Sequence, residues 1–160
     1  MFEKASVFSA LIVASFGLAH ADEHEVWGLW YTPDRMSIIE ISDCGDGSPC
    51  GVVTWVNTEH GMTVDSENRD HDLRGRPMIG VTLLHGFEKA AHRWGSGAIY
   101  NPENGRTYRA RLELESNDLL AVSGCLGPIC KKLHWERAEE LPSLAEAAHQ
   151  TSAAGTSSLN

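Results

Sequence analysis

Apolar and charged side chains alternate along the segment from residue 106 to residue 115. One face carries apolar side chains and the other carries charged ones: Tyr108, Ala110, Leu112 and Leu114 against Arg109, Arg111, Glu113 and Glu115. This period is that of a β-strand with one face on a core and the other in water. Ser116-Asn117-Asp118 breaks the pattern, and an apolar segment resumes from Leu119 to Ser123. The two segments are therefore predicted to form a β-hairpin.

Further strands are predicted where apolar or alternating segments are bounded by turn residues. These segments are Val26–Tyr31, Met36–Ser42, Gly51–Asn57, Ile79–His85, His92–Tyr100 and Lys132–Arg137. About eight short strands joined mostly by tight turns indicate an all-β fold. We predict a small, closed or nearly closed, antiparallel up-and-down barrel, because closure removes the exposed edges of a sheet.

The beginning of the chain has the pattern of an export signal. An uncharged apolar run follows residue 4, and Ala19-His20-Ala21 has the small-x-small pattern of a signal-peptidase site. The run is shorter than the roughly 20 residues of a membrane-spanning helix. We therefore expect residues 1–21 to be a signal peptide and the protein to be periplasmic or secreted, without a stable membrane anchor after cleavage. An uncleaved N-terminal anchor is the alternative.

Residues 22–137 then form the predicted barrel domain, and residues 138–160 form an Ala/Ser-rich tail. The tail has three Glu and no Lys or Arg, and most of it is expected to be disordered. Ser143-Leu-Ala-Glu146 has the pattern of a capping box and allows one short helical turn.

Four cysteines lie in the predicted mature chain, at Cys44, Cys50, Cys125 and Cys130. In an exported protein an even number of cysteines indicates disulfides. Three pairings are possible. We favour Cys44–Cys50 and Cys125–Cys130, because each pair flanks a turn-like segment rich in Gly and Pro. A zinc site of four thiolates is less favoured, given the spacing within each pair and the export signal.

The negative net charge of the chain argues against negatively charged partners. The chain of 160 residues has 13 Lys+Arg against 22 Asp+Glu, a formal net charge of −9. A protein this acidic is not expected to bind nucleic acid or anionic lipid through its overall electrostatic field. A hydrophobic fraction of 42% and a length of about one domain indicate a single folded unit.

A long polar loop is predicted between residues 58 and 76. Its second part, from residue 65 to residue 76, carries four carboxylates and three arginines: Asp65, Glu67, Asp70, Asp72, Arg69, Arg74 and Arg76. A loop of this length in a compact domain is usually functional or mobile. Its carboxylates could offer oxygens to Ca²⁺, but the glycine and final glutamate of an EF-hand loop are absent. Internal ion pairs are the favoured interpretation, and no metal or other cofactor is predicted.

The end of this loop is the candidate binding site. If the loop folds over the mouth of the barrel, Arg74 or Arg76 could bind a carboxylate or phosphate with two parallel hydrogen bonds. Asp70, Tyr100 and Tyr108 are the other candidate site residues, since the two tyrosines flank the Asn-Pro-Glu-Asn-Gly turn at the same mouth. In the competing interpretation, the arginines pair with Asp70 and Asp72, and the tyrosines pack across the strands.

Five ordered motifs run along the chain between Glu25 and Arg137. They are Gly28-Leu-Trp30-Tyr-Thr32-Pro-Asp34, Cys44…Cys50-Gly51-Val-Val-Thr-Trp55, Asn68-Arg-Asp70-His-Asp-Leu73-Arg74-Gly-Arg76-Pro77-Met-Ile-Gly80, Gly95-Ser-Gly97-Ala-Ile99-Tyr100-Asn-Pro102-Glu-Asn-Gly105-Arg-Thr107-Tyr108 and Gly124-Cys125-Leu-Gly127…Cys130…Trp135-Glu-Arg137. The set resembles a family of exported bacterial proteins, the domain of unknown function 2147 family. The resemblance implies a lipocalin-like (calycin) barrel and assigns no activity.

The same resemblance implies a structural role for three residues. Gly28 and Trp30 in the first strand, with Arg137 at the end of the last, are similar to the closing pair of lipocalins. In that arrangement the guanidinium lies over the indole ring at the closed end of the barrel. Such a contact is worth about 0.5–2 kcal/mol.

Three functional hypotheses follow. The first is an exported small-molecule binding protein with a pocket in the barrel for an apolar or anionic ligand. The second is a cell-envelope interaction module with a filled barrel, whose protein partner is not identified. The third is a hydrolase-like enzyme that uses the 65–76 loop. It ranks last because no nucleophile–base or paired acid–base arrangement is found, and no catalytic residue is assigned.

Overall fold

The structure is a computed structural model that describes residues 26–142. The predicted signal peptide and residues 143–160 of the predicted tail, which include the segment Ser143–Glu146, lie outside the described residues. Nine strands follow in chain order: β1 Gly28–Tyr31, β2 Ser37–Asp43, β3 Pro49–Val56, β4 Thr82–His85, β5 Glu88–Ala90, β6 Arg93–Asn101, β7 Arg106–Ser116, β8 Leu119–Leu126 and β9 Ile129–Ala138. A short 3-10 helix, His71–Leu73, lies in the connection between β3 and β4.

The strands form one antiparallel sheet that closes on itself. Their order is β4-β3-β2-β1-β9-β8-β7-β6-β5, and an additional pairing of β4 with β6 closes eight of them into a barrel. The predicted all-β barrel is thus confirmed. The ninth strand, β5, pairs only with β6, and it was not predicted because its three residues are all exposed and show no alternation. Within residues 26–142, no helix is long and apolar enough to cross a membrane.

The antiparallel order assigns the connections to two ends of the barrel. The β1–β2, β3–β4, β6–β7 and β8–β9 connections lie at one end, which we call the open end. The β2–β3 and β7–β8 connections, together with the segment from β4 to β6, lie at the other, which we call the closed end. The candidate loop and the turn between Tyr100 and Tyr108 therefore meet at the open end.

Inward-facing side chains of the strands build a single hydrophobic core. Paired positions in neighbouring strands, such as Trp30 with Ile39 and Leu112 with Val122, place buried side chains next to one another. The buried residues inside the barrel include Trp30, Ile39, Ile41, Val53, Leu84, Leu112, Leu120, Val122 and Trp135. Each large apolar side chain buried in this way contributes about 1.5–3 kcal/mol. The core thus supports the strands that carry the open-end connections.

Arg137 covers the core at the closed end. Its guanidinium lies 4.1 Å from the centre of the Trp30 ring. Nη1 donates a hydrogen bond to the carbonyl oxygen of Trp27 at 2.8 Å, and Nε donates to the carbonyl oxygen of Asn117. A Cβ at position 28 would lie 2.8 Å from Nη1, so Gly28 leaves the space that the guanidinium occupies. One side chain thus joins β1 to the β7–β8 turn.

We expect Arg137→Lys to lower the free energy of unfolding by about 1–2 kcal/mol, because an ammonium cannot stack on Trp30 while reaching both carbonyl oxygens. Urea unfolding followed by tryptophan fluorescence measures the change. Arg109→Lys is the matched control, since Arg109 is exposed on β7. Equal stabilities of the two variants would show that Arg137 does not hold the closed end.

Two disulfides lie at opposite ends of the barrel, in the pairing favoured from the sequence. Cys44 and Cys50 are bonded across the β2–β3 connection, with a Cα–Cα distance of 5.1 Å. Cys125 and Cys130 are bonded across the β8–β9 connection, with a Cα–Cα distance of 4.0 Å. The second bond holds a hairpin that is longer than predicted, because β9 begins at Ile129 and not at Lys132.

Candidate functional site

The β3–β4 connection, which the sequence predicts as a long polar loop, has a structure of its own. Val64 and Pro77 form an isolated antiparallel bridge. The backbone N–H of Asp65 donates to the carbonyl oxygen of Arg76 at 3.0 Å. Met78, only 3% exposed, anchors the end of the connection in the core. The two arms of the connection therefore run antiparallel and bring positions 65 and 76 together.

The tip of this connection is organised by local hydrogen bonds. Asp70 caps the 3-10 helix, accepting a hydrogen bond from the backbone N–H of Asp72 at 3.0 Å. The Nε of Arg74 donates to the carbonyl oxygen of Asn68 at 2.6 Å. Of the two arginines predicted as possible anion contacts, Arg74 is therefore held against its own loop through Nε. Among residues 26–142, no ion pair joins Asp70 or Asp72 to an arginine.

Asp65 lies at the centre of the connection and is fully buried. Its Oδ1 accepts a hydrogen bond from the hydroxyl of Tyr100 at 2.5 Å. Its Oδ2 accepts from Asn68 Nδ2 at 2.8 Å and from Arg76 Nε at 2.9 Å, and Arg76 Nη2 lies 2.8 Å from the same oxygen. The carboxylate thus joins both arms of the connection to β6. We call these four residues the Asp65 network.

Two opposing effects act on the pKa of Asp65. Burial favours the neutral acid, whereas hydrogen bonds from Tyr100, Asn68 and Arg76 and the charge of Arg76 favour the carboxylate. The hydrogen bonds and the charge of Arg76 together outweigh the effect of burial, and the pKa of Asp65 lies below its ordinary value. Asp65 is therefore an ionised structural anchor. Because donors occupy both of its oxygens, it is not a free base of the kind that a hydrolase would need.

Tyr100 is held in its neutral form by the same network. Burial, followed by the hydrogen bond to Asp65 and the charge of that carboxylate, raises the pKa of Tyr100 to about 12. We expect the last tyrosine ionisation in an alkaline absorbance titration to occur near this pH and to be missing in Tyr100→Phe. The full chain has three tyrosines, so the variant retains two. An unchanged last phase in Tyr100→Phe would show that Tyr100 does not donate to Asp65.

The β6–β7 turn packs directly onto the β3–β4 connection through Gly105. This residue is buried and has φ +63°, in the left-handed region that glycine adopts most readily. A Cβ there would overlap the carbonyl oxygen of Glu67 and would lie 3.1 Å from the backbone nitrogen of Arg69. The close approach thus joins the β6–β7 turn to the segment of the β3–β4 connection that contains Glu67 and Arg69.

A cavity of about 650 Å³ opens between these elements at the open end of the barrel. We call it the open-end pocket. The β3–β4 connection supplies one wall and the strands β4, β6, β7 and β8 supply the others. Of the predicted site residues, the pocket brings together Asp70, Arg76, Tyr100 and Tyr108. Arg74 is not part of its lining.

Eight residues of the pocket lining were not among the predicted site residues. They are Asn68, Arg69, Thr82, His85, Gly105, Arg106, Thr107 and Leu126. The alternation along β7 contains a signal for Arg106, because extending it backwards puts position 106 on the face of Tyr108. Asp65 was also missed as the partner of Arg76. Within residues 26–142, no group of three or more His, Cys, Asp or Glu side chains is placed to hold a metal ion.

Comparison with known proteins agrees with the motifs. Residues 28–137 match a family described as uncharacterized protein conserved in bacteria (DUF2147), a range that covers more than half of the chain. The chain belongs to this family. In the comparison with curated proteins, no protein matches this family member.

A solved structure resembles this DUF2147 protein in fold. It is protein HP1028 from the human pathogen Helicobacter pylori, which is described as belonging to the lipocalin family. The TM-score is 0.63 at 22% sequence identity, and the similarity covers 78% of this chain and 97% of that chain. At this identity the likeness shows a lipocalin-like fold alone.

Proposed function

We propose that this protein is exported from a bacterial cell and binds a small molecule in the open-end pocket. The observation that carries the proposal is a cavity of about 650 Å³ at one end of a barrel whose other end is covered by Arg137. Pockets for small molecules commonly measure about 300–1,000 Å³. The two disulfides and the predicted signal peptide support an oxidising compartment.

The pocket walls support binding because they are built in advance. The Asp65 network fixes the β3–β4 connection, and the contact of Gly105 with this connection fixes the β6–β7 turn. A site whose walls are already ordered loses less conformational entropy when it is occupied. The lining is mostly polar and charged, and Tyr108 and Leu126 add aromatic and apolar surface to it.

Native mass spectrometry tests the proposal on protein purified from its own host. The intact mass is compared before and after denaturation, for the wild type, for Thr107→Trp and for Glu40→Trp. Thr107 lines the pocket, whereas Glu40 is exposed on β2, so both variants add the same side chain to an exposed strand position. We expect a small molecule to be released from the wild type and from Glu40→Trp, and much less from Thr107→Trp.

Equal release from all three proteins would place the bound molecule elsewhere. No release from any of them would remove the proposed function. Glu40→Trp also controls for effects of the added tryptophan on folding, which circular dichroism would report for each variant.

A further inference from the structure

The charge of the pocket lining differs in sign from that of the whole protein. The chain has a formal net charge of −9. The pocket, however, is lined by three arginines, Arg69, Arg76 and Arg106, and by a single carboxylate, Asp70. Counting Asp65 as the partner behind Arg76 still leaves one excess positive charge. A local reversal of charge in an acidic protein indicates a site that recognises negative charge.

In and beside the pocket, the carboxylates already accept hydrogen bonds, whereas two of the guanidiniums donate none within the described part of the chain. The carboxylate of Asp65 already accepts hydrogen bonds at both oxygens, and that of Asp70 accepts one from its own loop. The guanidiniums of Arg69 and Arg106, in contrast, have no acidic or hydrogen-bonded partner among residues 26–142. The pocket thus offers unused donors, which call for an acceptor on the bound molecule.

Tyr108 adds a third donor and an aromatic surface. Its hydroxyl oxygen accepts a hydrogen bond from Asn104 Nδ2 at 3.0 Å, which leaves its own hydrogen available. The exposed side chain of Leu126, 68% accessible, forms another part of the lining. Burial of such an apolar surface is favourable, and the lining is therefore suited to a molecule with an apolar part.

We infer that the open-end pocket binds an amphipathic anion, in which a carboxylate, sulfonate or phosphate group is joined to an apolar body. The anionic group lies between Arg69 and Arg106 and accepts their charge-assisted hydrogen bonds. The apolar body lies against Tyr108 and Leu126. Arg76 holds the wall through Asp65 and is not the main anion contact. This inference rests on the proposed function and specifies its chemical class of ligand.

Two fluorescent probes that differ in one group test the charge requirement. Anilinonaphthalene sulfonate and phenylnaphthylamine share an aromatic ring system, but only the first carries an anionic group. We expect the sulfonate to bind at least about tenfold more tightly than the neutral amine, as the loss of one charge-assisted contact predicts. Equal affinities would overturn the inference while leaving a small-molecule site in place. Binding of neither probe would count against both the inference and the proposed function.

Paired arginine variants locate the bound anion. Arg69→Gln with Arg106→Gln removes both free guanidiniums from the pocket. Arg93→Gln with Arg109→Gln is the matched control, because it removes the same charge from exposed positions on β6 and β7 outside the lining. We expect the first double variant to weaken sulfonate binding at least about tenfold and the control to change it less than about twofold. A similar loss in both would mean that general charge, and not this site, attracts the probe.

Displacement of the sulfonate distinguishes an amphipath from a free anion. Decanoate, acetate, inorganic phosphate and decanol are added at equal concentrations below the range in which decanoate forms micelles. Decanoate is expected to displace the probe, while acetate and phosphate, which lack the chain, and decanol, which lacks the charge, displace little. Displacement by acetate or phosphate as effective as that by decanoate would overturn the amphipathic part of the inference. Equally effective displacement by decanol would overturn the anionic part.

Discussion

Asp65→Asn is expected to lower the free energy of unfolding by about 3 kcal/mol, the lower end of the range for breaking a buried ion pair. The side chain of Asp65 is 0% exposed, while that of Arg76 is 35% exposed and retains some water. The amide of Asn has no charge and presents an N–H₂ group where Asp65 presents an acceptor to Arg76. The arginine then loses its partner inside the β3–β4 connection. Urea unfolding at neutral pH measures the change.

Asp70→Asn is the matched control for this variant. Asp70 lies on the same connection and also loses a charge, but its side chain is exposed and an Asn can still cap the 3-10 helix. We expect little change in its stability. Equal effects of the two substitutions would contradict a specific role of the Asp65 network.

The effect of Asp65→Asn should depend on pH in a direction set by the pKa of the carboxyl. Because the pKa of Asp65 is lowered in the folded protein, its carboxylate contributes stability that is fully present above the unfolded value of about 3.9. This contribution is lost as the pH falls through the lowered folded value. The difference between wild type and variant should therefore shrink in acid. A constant difference across that range would mean that the charge of Asp65 is not what stabilises the fold.

Gly105→Ala is expected to have the second large effect, a loss of more than about 2 kcal/mol in the free energy of unfolding. The added Cβ would overlap the backbone carbonyl of Glu67, which cannot move away as a flexible side chain could. The β6–β7 turn must therefore separate from the β3–β4 connection. We also expect weaker binding of anilinonaphthalene sulfonate, since this contact joins the two elements that carry Arg69 and Arg106, both of which line the pocket.

Gly127→Ala separates backbone strain from steric overlap. Gly127 has φ +58°, close to the φ of Gly105, but a Cβ there would have no atom within 4 Å. Its substitution is expected to cost about 1 kcal/mol from the left-handed backbone alone and to leave probe binding unchanged. Thermal or urea unfolding of both variants measures the difference. Equal losses would show that the close approach to Glu67 is not needed.

The barrel was predictable because its signals are local. A strand such as β7 shows its two faces in consecutive residues, and the tight turns beside it are marked by Asn, Gly and Pro. The register shift in β6, which pairs Trp94 with Leu112 and Gly97 with Ala110, has no such signal. Strand β5 also lacks a local signal, and it was not predicted because it forms by pairing with β6 and its own side chains show no pattern.

The partner of Arg76 was not predictable from the same information. Proximity in sequence pointed to Asp70 and Asp72, but the antiparallel arms of the connection bring Arg76 to Asp65 instead. The hydrogen bond from Tyr100 to Asp65 spans 35 positions and depends on closure of the barrel. A carboxylate in a polar segment gives no sequence signal that it will be buried. The structure groups four of the predicted site residues, Asp70, Arg76, Tyr100 and Tyr108, around one cavity, and their role in binding stays a prediction. The buried anchor Asp65 was missed.

A crystal structure of the protein purified from its own host tests most directly whether the open-end pocket holds a small molecule. We predict electron density for a bound molecule against Tyr108 and Leu126, with an acidic group within hydrogen-bonding distance of Arg69 and Arg106. Density for a bound molecule only at another place, or a pocket occupied by solvent alone in protein that has never been denatured or extracted, would contradict the account.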